Sequence, residues 1–537
     1  MAETNDSTGS AASLAEFIWK NAEDLWGDFK HTDFGKIILP FTLLRRRDVV
    51  HLATALLLDP DDELFESNPG LIRTLYDQTC GTGGFLSDAM NHVDDYRNHL
   101  KVPPVIIPYG QELEPETHAV CLTGMLLRTL ESDPGRDLSK NIKLGSTLSN
   151  DQFHGQHFHY GVSNPPFGKK WEKDQEAVER EHKNQKYEGR FGPGTPRIDD
   201  GSMLFLMNLA NKMESPENGG GRAAIVLSGS PLFNGGAGSG ESEIRRWLLE
   251  NDQVEAIVAL PTEIFFRTGI GTYLWILSNK KPENRKGKVQ LIDSSSFWTS
   301  IKNEGNKRRI IGDEQRRQIV EIYADIEDSE FSRKLEFEEF GYCRIRVLRP
   351  LRMSLQVNDE TILKLESQKV WQKFSSEQQS IWLDALNLLK GKTFPFGWSQ
   401  EFINEVSQSS AVVGRVNKTF VKALNTALGV RDPQSDPVRD LDGNLVSDPE
   451  LTDYENVPLS ELIEDYFARE VLPHVPDAYI DESYLDDREK HVGKIGYEIN
   501  FNRFFYKYVP PRNLQDIDAD LKQVEAEIAE LLGEIAQ

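Results

Sequence analysis

Residues 71–278 alternate short apolar runs with amphipathic stretches, which predicts an α/β domain built on a largely parallel sheet. Three junctions carry this expectation. An apolar run at 71–77 passes directly into Gln78-Thr79-Cys80-Gly81-Thr82-Gly83-Gly84-Phe85 and then into a helical stretch. A second run at 105–110 ends in Gln111-Glu112, and a third at 157–162 ends in Asn164-Pro165-Pro166-Phe167. Open α/β sheets bind ligands beyond the carboxyl ends of their strands, so all three junctions fall where a site is expected.

Taken in order, Phe17, Ile18, Trp19, Ala22, Leu25 and Trp26 share one helical face. A second apolar run through Ile37, Ile38 and Leu39 leads past Pro40 to Arg45-Arg46-Arg47, which alone reads as a solvated helix end. Residues 49–58 read as a buried helix terminated by Asp59-Pro60-Asp61-Asp62. The glycine turn after 71–77 is either purely structural or a loop where a ligand approaches the backbone and a helix N-terminus. Its spacing is G-T-G-G rather than G-x-G-x-x-G, which disfavours a nicotinamide or flavin cofactor. Cys80, among glycines and with no neighbouring histidine, reads as a small loop residue.

Glu112 closes the second strand, where an acid accepts hydrogen bonds from a ribose diol, whereas Glu114 and Glu116 read as solvated. A helix at 116–129, a strand at 141–144 and the turn Gly145-Ser146-Thr147-Leu148 follow. His154, His157 and His159 alternate along a strand edge, a pattern of partial exposure rather than of zinc ligation. The polar loop 169–197 either closes over a substrate or simply moves. Asp200-Gly201-Ser202 caps a helix at 203–213, and strands at 222–227, 254–260 and 272–278 with a helix at 243–250 complete the domain.

The third junction is the chemically loaded one. Pro165 and Pro166 donate no backbone hydrogen bonds and fix φ, so the chain must leave the sheet in a stiff turn. An exocyclic amine on a nucleobase is a poor nucleophile because its lone pair is delocalised into the ring. The side-chain oxygen of Asn164 and the carbonyl of Pro165 could accept hydrogen bonds from such an amine and localise the lone pair towards an incoming methyl group. Phe167 could stack on the ring. An isolated Asn-Pro-Pro is equally well a structural turn, so the upstream partners decide between the two.

The length of 537 residues allows about two to four domains. No apolar run approaches the ~20 residues that span a bilayer, and the N-terminus lacks the basic and apolar regions of a signal peptide. Three cysteines, Cys80, Cys121 and Cys343, imply no disulfide framework and point to a reducing cytoplasm. A net charge of −25 argues against a chain that grips nucleic acid over a wide surface unaided, and leaves room for a partner with basic surface.

Together these motifs resemble the N6-adenine DNA methyltransferases, and specifically the modification (M) subunit of type I restriction-modification systems. The family's D-x-x-C/A-G-T-G-G stands at Asp77 to Gly84, its G-x-E at Gly110 to Glu112 and its N-P-P-F at Asn164 to Phe167. The likeness continues through Gly201-Ser202, Leu260-Pro261, Phe265 to Gly271 and the tail Ile495-Gly496-Tyr497-Glu498-Ile499. The resemblance implies a Rossmann-like sheet that binds S-adenosylmethionine through Asp77, Thr79, Gly81, Thr82, Gly83, Gly84, Glu112 and Thr147, with no metal. It implies methylation of N6 of a flipped adenine in DNA, with Asn164, Pro165, Pro166 and Phe167 catalytic and Phe167, Phe265 and Phe266 stacking on the base. The implied partners are DNA, a specificity (S) subunit, a second M subunit and a restriction (R) subunit. Methylation of a protein glutamine amide, or a cofactor-deficient scaffold, are the alternatives.

Two departures stand out. Gln78 occupies a position where the family usually has proline. In addition, Leu43-Leu44-Arg45-Arg46 runs straight into Arg47-Asp48-Val49-Val50, where the family has a long helical stretch ending in a segment that contacts the cofactor's methionine half. The resemblance therefore implies a deletion at this point and a weakened cofactor pocket.

From Lys280 onward the chain is more polar. The alternation Arg344-Ile345-Arg346-Val347-Leu348-Arg349-Pro350-Leu351-Arg352 is a solvated edge or a segment that could meet phosphate. A helix is expected at 381–389, and 432–453, rich in Asp, Pro and Gly, reads as an exposed or partly disordered linker. Leu514, Ile517, Leu521, Val524, Ile528, Leu531 and Ile535 form a heptad seam that seeks another helix, which in the resembled family belongs to the S subunit. The organisation expected is a helical N-terminal part at 1–46, a catalytic domain at 47–290, a mostly helical extension at 291–500 and a coiled-coil tail at 501–537.

Overall fold

The computed structural model describes residues 48–535 apart from 99, 133–136, 266–268, 305–306, 409–415, 441, 507 and 509–512. The expected N-terminal helix, Arg45-Arg46-Arg47 and Phe266 lie outside the described residues. Two compact units divide the chain: one runs to Asn234 and adds Trp247–Phe337 and the chain from Glu498, and the other comprises Gly235–Arg246 and Glu338–Tyr497.

The first unit is built on nine strands: β1 (Ile72–Asp77), β2 (Val105–Glu112), β3 (Ile142–Leu144), β4 (Tyr160–Ser163), β5 (Arg222–Ser228), β6 (Val254–Ala259), β7 (Thr272–Ser278), β8 (Lys288–Asp293) and β11 (Ser332–Glu336). A separate hairpin pairs β9 (Thr299–Glu304) with β10 (Lys307–Ile310). The sheet order is β11-β8-β6-β7-β5-β4-β1-β2-β3, parallel except for β7 and β11. β4, β5 and β6 are apolar runs because helices cover both faces of a parallel sheet, and β6 is buried throughout. The polar composition after Lys280 concealed that β8 and β11 extend this sheet past residue 290.

Helix α1 (Asp48–Leu58) has buried residues on nearly every side, among them Leu52, Leu56 and Leu58. Helix α2 (Gly84–Asp94) follows the glycine loop, α3 (Pro115–Ser132) follows β2, and α4 (Gln175–Gln185) and α5 (Ser202–Asn211) lie between β4 and β5. At Gly161 on β4 a Cβ would sit 3.0 Å from Leu209 Cδ2 and 3.2 Å from Ala223 Cβ, so the bare backbone lets α5 pack closely against the strand. Helix α6 (Asp313–Asp325) brings Tyr323 to a buried charge cluster at the amino ends of the strands. There Glu255 accepts from Arg222 Nη1 at 3.1 Å and from the Tyr323 hydroxyl at 2.6 Å, and Arg285 Nε lies 3.5 Å away. Burial opposes the charge on Glu255, but Arg222 and Arg285 hold its carboxyl below the usual carboxylate range.

In the second unit, β12 (Gly341–Leu348) pairs antiparallel with β16 (Asp453–Pro458), β17 (Tyr479–Ile480) and β18 (Lys494–Tyr497). A smaller sheet of β13 (Met353–Gln356), β14 (Thr393–Pro395) and β15 (Gly429–Arg431) accompanies helices α7 (Asp359–Glu366), α8 (Ser376–Leu388), α9 (Gln400–Ser407) and α10 (Lys418–Leu428). These helices share a core in which Phe420 meets Trp382 and Phe374, each with ring centroids 4.7 Å apart. The three-residue strands are too short to show a period in sequence, so this unit holds more sheet than a mostly helical extension would. The arginine run meets carboxylates: Arg346 binds Asp481, and Arg349 and Arg352 each reach Asp477 at 3.2 Å. Residues 432–453 fold back on the chain, with Leu351 N–H donating to Val446 O at 2.7 Å and Val438 N–H to Leu351 O at 2.8 Å.

Glu255→Ala should leave Arg222 and Arg285 as uncompensated buried charges and cost about 3–5 kcal/mol of unfolding free energy. Urea denaturation of the first unit's transition measures this; a loss below ~1 kcal/mol would show that water already compensates the arginines.

Candidate active site

All three junctions open on one edge of the sheet. Parallel pairing sets Asp77 on β1 opposite Val162 on β4 and opposite Gly110 on β2, so the loops that follow these strands emerge side by side. A cavity of about 830 Å³ lies at the other edge, lined by Arg73, Tyr160, Arg222 and Ser278 at the amino ends of β1, β4 and β5 and the end of antiparallel β7. The reactive turn is not part of it.

The glycine loop is tied to β2 by the Cys80 N–H, which donates to Gln111 O at 3.0 Å. Gly81 (φ +53°) and Gly83 (φ +84°) adopt backbone conformations that side chains resist. Gly83 also has no room, since a Cβ would lie 2.9 Å from Cys121 Sγ. On the other side the loop is bare: a Cβ on Gly84 would meet nothing within 4 Å, and one on Gly81 nothing nearer than Thr79 O at 3.9 Å. Thr82 is half-buried, and its hydroxyl has no partner among the described residues. The helix N-terminus and this open backbone make a place for a polar ligand.

Glu112 faces the same loop. Its Oε2 accepts the Gly81 N–H at 2.8 Å, and its Oε1 accepts the N–H groups of Leu113 at 2.9 Å and Glu114 at 3.0 Å. Three backbone donors fix the carboxylate: two of them occupy Oε1, and Oε2, with one, keeps a lone pair for a hydroxyl. Thr147 is differently placed: it is buried and its hydroxyl donates to Gln78 O at 2.5 Å, bracing the loop's backbone.

Gln78 is locked into the protein. Its Nε2 donates to Phe205 O at 2.9 Å, and its Oε1 accepts from Asn208 Nδ2 at 2.6 Å. Arg190 continues the network, donating through Nη1 to Asn208 Oδ1 (3.1 Å) and Thr147 O (2.7 Å), and through Nη2 to Leu148 O (3.1 Å) and Glu181 Oε2 (2.6 Å). The segment after the reactive turn is therefore bolted to the strand ends by Arg190 and carries helix α4. Arg190 and Asn208 escaped sequence reasoning because nothing local marks a partner so distant in sequence.

At the reactive turn, β4 ends at Ser163 and the two prolines follow. Asn164 is exposed, and its side chain has no hydrogen-bond partner among the described residues. Pro165 is buried, and Phe167 is half-buried against the main core. Phe265 lies edge-on to Phe167, with ring centroids 6.0 Å apart and planes at 72°. Asn164, Phe167 and Phe265 thus come together, with Phe167 and Phe265 making an aromatic corner. His154 and His157 are exposed, and His159 Nδ1 lies 2.9 Å from Thr74 Oγ1. Among the described residues the three histidines join no grouping of metal-type side chains; Asp59, Asp62 and His92 form one, and Asp59 lines the amino-edge cavity.

Asp77 is 1% exposed, and its Oδ1 accepts the Thr79 N–H at 3.1 Å. Burial pushes its carboxyl up to about 8, against the Thr79 hydrogen bond and with the charge of Glu112 adding to the rise. In the unfolded chain this group titrates near ~3.9, so the folded state binds the proton more tightly between these values. Its stabilising contribution is complete below about pH 4 and is lost as pH rises through about 8. Relative to Asp77→Asn, which keeps the acceptor for Thr79, the wild-type melting temperature should fall as pH rises from about 5 to about 8 and then level off. Differential scanning fluorimetry across that range tests this, and a constant gap between the two proteins would disprove it.

A family model described as N-6 DNA methylase matches residues 47–342, and one described as HsdM N-terminal domain matches residues 14–71. The type I restriction enzyme MjaIX methylase subunit of Methanocaldococcus jannaschii is 26% identical over 276 residues, 51% of this chain and 45% of the relative. The type I restriction enzyme EcoKI methylase subunit of Escherichia coli K12 is 28% identical over 211 residues, 36% of this chain and 34% of the relative. Among solved structures, a type I restriction-modification system methyltransferase subunit from Streptococcus thermophilus has 27% identity, covers 55% of both chains and aligns with a TM-score of 0.42. The chain thus spans about half the length of the curated relatives it matches, or less. With the family model covering more than half of its residues, the chain belongs to the N-6 DNA methylase family.

Proposed function

We propose that this chain transfers a methyl group from S-adenosylmethionine to N6 of adenine in DNA, as the modification subunit of a type I restriction-modification complex in the cytoplasm. One observation carries the reading: Asn164 stands exposed and without a partner at the end of β4, beside the bare glycine loop of β1 and the fixed carboxylate of Glu112. The residues fit the cofactor. Glu112 Oε2 offers a lone pair to a ribose hydroxyl, Gly81 and Gly84 leave their side of the loop open, and Thr82 has a hydroxyl without a partner among the described residues. When bound, S-adenosylmethionine supplies an electrophilic methyl on a sulfonium.

The target adenine must leave the duplex stack to reach a sheet edge, which costs a few kcal/mol in unstacking. Phe167 and Phe265 then offer aromatic surface to the base. Asn164 Oδ1 and the Pro165 carbonyl accept the two N–H groups of the amine, turning its lone pair out of conjugation. Forming the methyl–N6 bond would break the sulfonium S–CH3 bond, whose electron pair stays on sulfur, and the extra proton on N6 would depart to solvent or to Asn164 Oδ1 or the Pro165 carbonyl. Base recognition belongs to a partner S subunit, with DNA, a second M subunit and an R subunit completing the assembly. The helix α11 (Leu514–Ile535) supports the S-subunit contact, because Leu514, Ile517, Leu521, Val524 and Ile528 are all exposed along one seam.

Asn164→Ala should lower methyl transfer to adenine at least ~10³-fold while leaving cofactor binding within about twofold. Labelled-methyl transfer to a duplex carrying the target site, run with the S subunit, measures it; transfer at the wild-type rate would refute the assignment. The resemblance implies that a segment meeting the cofactor's methionine half is missing after Arg46, and with that segment missing binding rests on Gly81 to Gly84 and Glu112. Calorimetric titration of this chain should accordingly give a dissociation constant near or above ~1 mM, equivalent to only about 4 kcal/mol. Micromolar binding would show that another segment replaces the missing contacts.

A further inference from the structure

The methyl-donor loop and the reactive turn are joined by a direct side-chain bond. Thr79 Oγ1 and Ser163 Oγ lie 2.8 Å apart, across residues separated by 84 positions in sequence. Ser163 is fully buried and Thr79 half-buried, so the Ser163 side of this hydroxyl pair is shielded from competing water. Each partner is also anchored on its own side. The Thr79 N–H is held by Asp77 Oδ1 at 3.1 Å, and Ser163 is the last residue of β4, in parallel register with Ile225 of β5. Asn164, the next residue, has no side-chain partner of its own and is followed by two residues without N–H groups. Backbone pairing between β1 and β4 stops at Asp77 and Val162. Beyond that rung, among the described residues, the Thr79–Ser163 bond is the direct side-chain hydrogen bond between the two loops.

Methyl transfer between two bound groups is acutely sensitive to their separation, and a displacement of about 1 Å can cost ~10²-fold in rate. We infer that Ser163 and Thr79 are positioning residues: their hydroxyl bridge sets the distance between the loop that holds the methyl donor and the turn that holds the amine. Neither hydroxyl touches the reacting atoms. The bridge acts by preventing the turn from swinging about the end of β4, where Gly168 (φ +57°) on its far side offers little resistance. This inference rests on the function proposed above, and its consequences divide into one that needs that function and one that does not.

The independent consequence is mechanical. In the full chain without cofactor or DNA, amide hydrogen exchange across residues 161–170 should quicken about tenfold in Thr79→Val, although the substitution lies on another loop. Ser163→Ala should give the same increase, the double variant should add nothing further, and Thr79→Ser, which restores the hydroxyl, should return exchange towards wild type. Wild-type exchange at 161–170 in Thr79→Val, or additive increases in the double variant, would overturn the bridge. The functional consequence is a split between rate and binding. With the S subunit and a target duplex, Thr79→Val and Ser163→Ala should lose ~10–100-fold in kcat with KM for cofactor and for DNA changed less than threefold, and Thr79→Ser should recover most of the loss. A loss confined to KM for the cofactor would make Thr79 a binding contact and overturn the positioning role. A wild-type complex that methylates no adenine would overturn the proposed function instead, while the exchange result still decides whether the bridge couples the two loops.

Discussion

Parallel pairing of β1 with β4 is the constraint on which the rest depends. Three rungs, from Leu75 opposite Tyr160 to Asp77 opposite Val162, bring the glycine loop and the Asn-Pro-Pro-Phe turn to one edge although more than 80 residues separate them. A one-residue slip in either strand would turn its side chains to the opposite face and part Thr79 from Ser163. The close contacts around Gly161 help to hold this register, because α5 lies where any side chain on that residue would go. Around the rungs, polar groups are matched in a way that leaves little slack: Thr147 and Gln78 beneath the loop, Asn208 and Arg190 behind them, and Asp77 capping Thr79 from within.

Much of this was legible in the sequence because the relevant signals are local. Strands buried on both faces are continuous apolar runs, glycines mark the loop, and two adjacent prolines mark the end of β4, so strands, loop, acid and turn could be placed without knowing which strand adjoins which. Partners remote in the chain were not legible. Gln78 and Asn208 are 130 positions apart, and nothing near Gln78 indicates that an amide is required there rather than the proline its family usually has. The arginines at 346, 349 and 352 looked able to meet phosphate because Asp477 and Asp481, which neutralise them, lie more than 120 positions downstream. Composition misled at the sheet's far edge, where β8 and β11 are short and flanked by charge.

Charge is arranged differently in the two regions that matter. At the amino edge, Arg222, Glu255, Arg285 and Tyr323 form a buried cluster in which opposite charges and a hydroxyl meet, although Arg222 Nε is left without a partner among the described residues. At the carboxyl edge, among the described residues, the groups that face the site are left with open hydrogen-bonding capacity: Asn164 without a partner, Glu112 with one lone pair on Oε2, and Thr82 with an unpaired hydroxyl. The proposed ligand site thus lies at the end of the sheet where several polar groups are left open to water.

The chain after Glu498 returns to the first unit, where the Ile499 N–H donates to Leu232 O at 2.8 Å and Phe501 packs against Tyr273 with ring centroids 5.3 Å apart. The first contact closes a loop of more than 260 residues and the second one of more than 220, so both must wait until residues up to 501 have left the ribosome. Until then the surface around Leu232 and Tyr273 stays uncovered, and a sheet whose strands are all synthesised must wait for this cover. Completion of this unit is consequently slow and vulnerable to trapping, in keeping with the penalty that long sequence separation places on folding rate. A truncation between residues 338 and 498 would leave the edge that carries Asn164 and Glu112 intact in sequence yet the unit unfinished in packing.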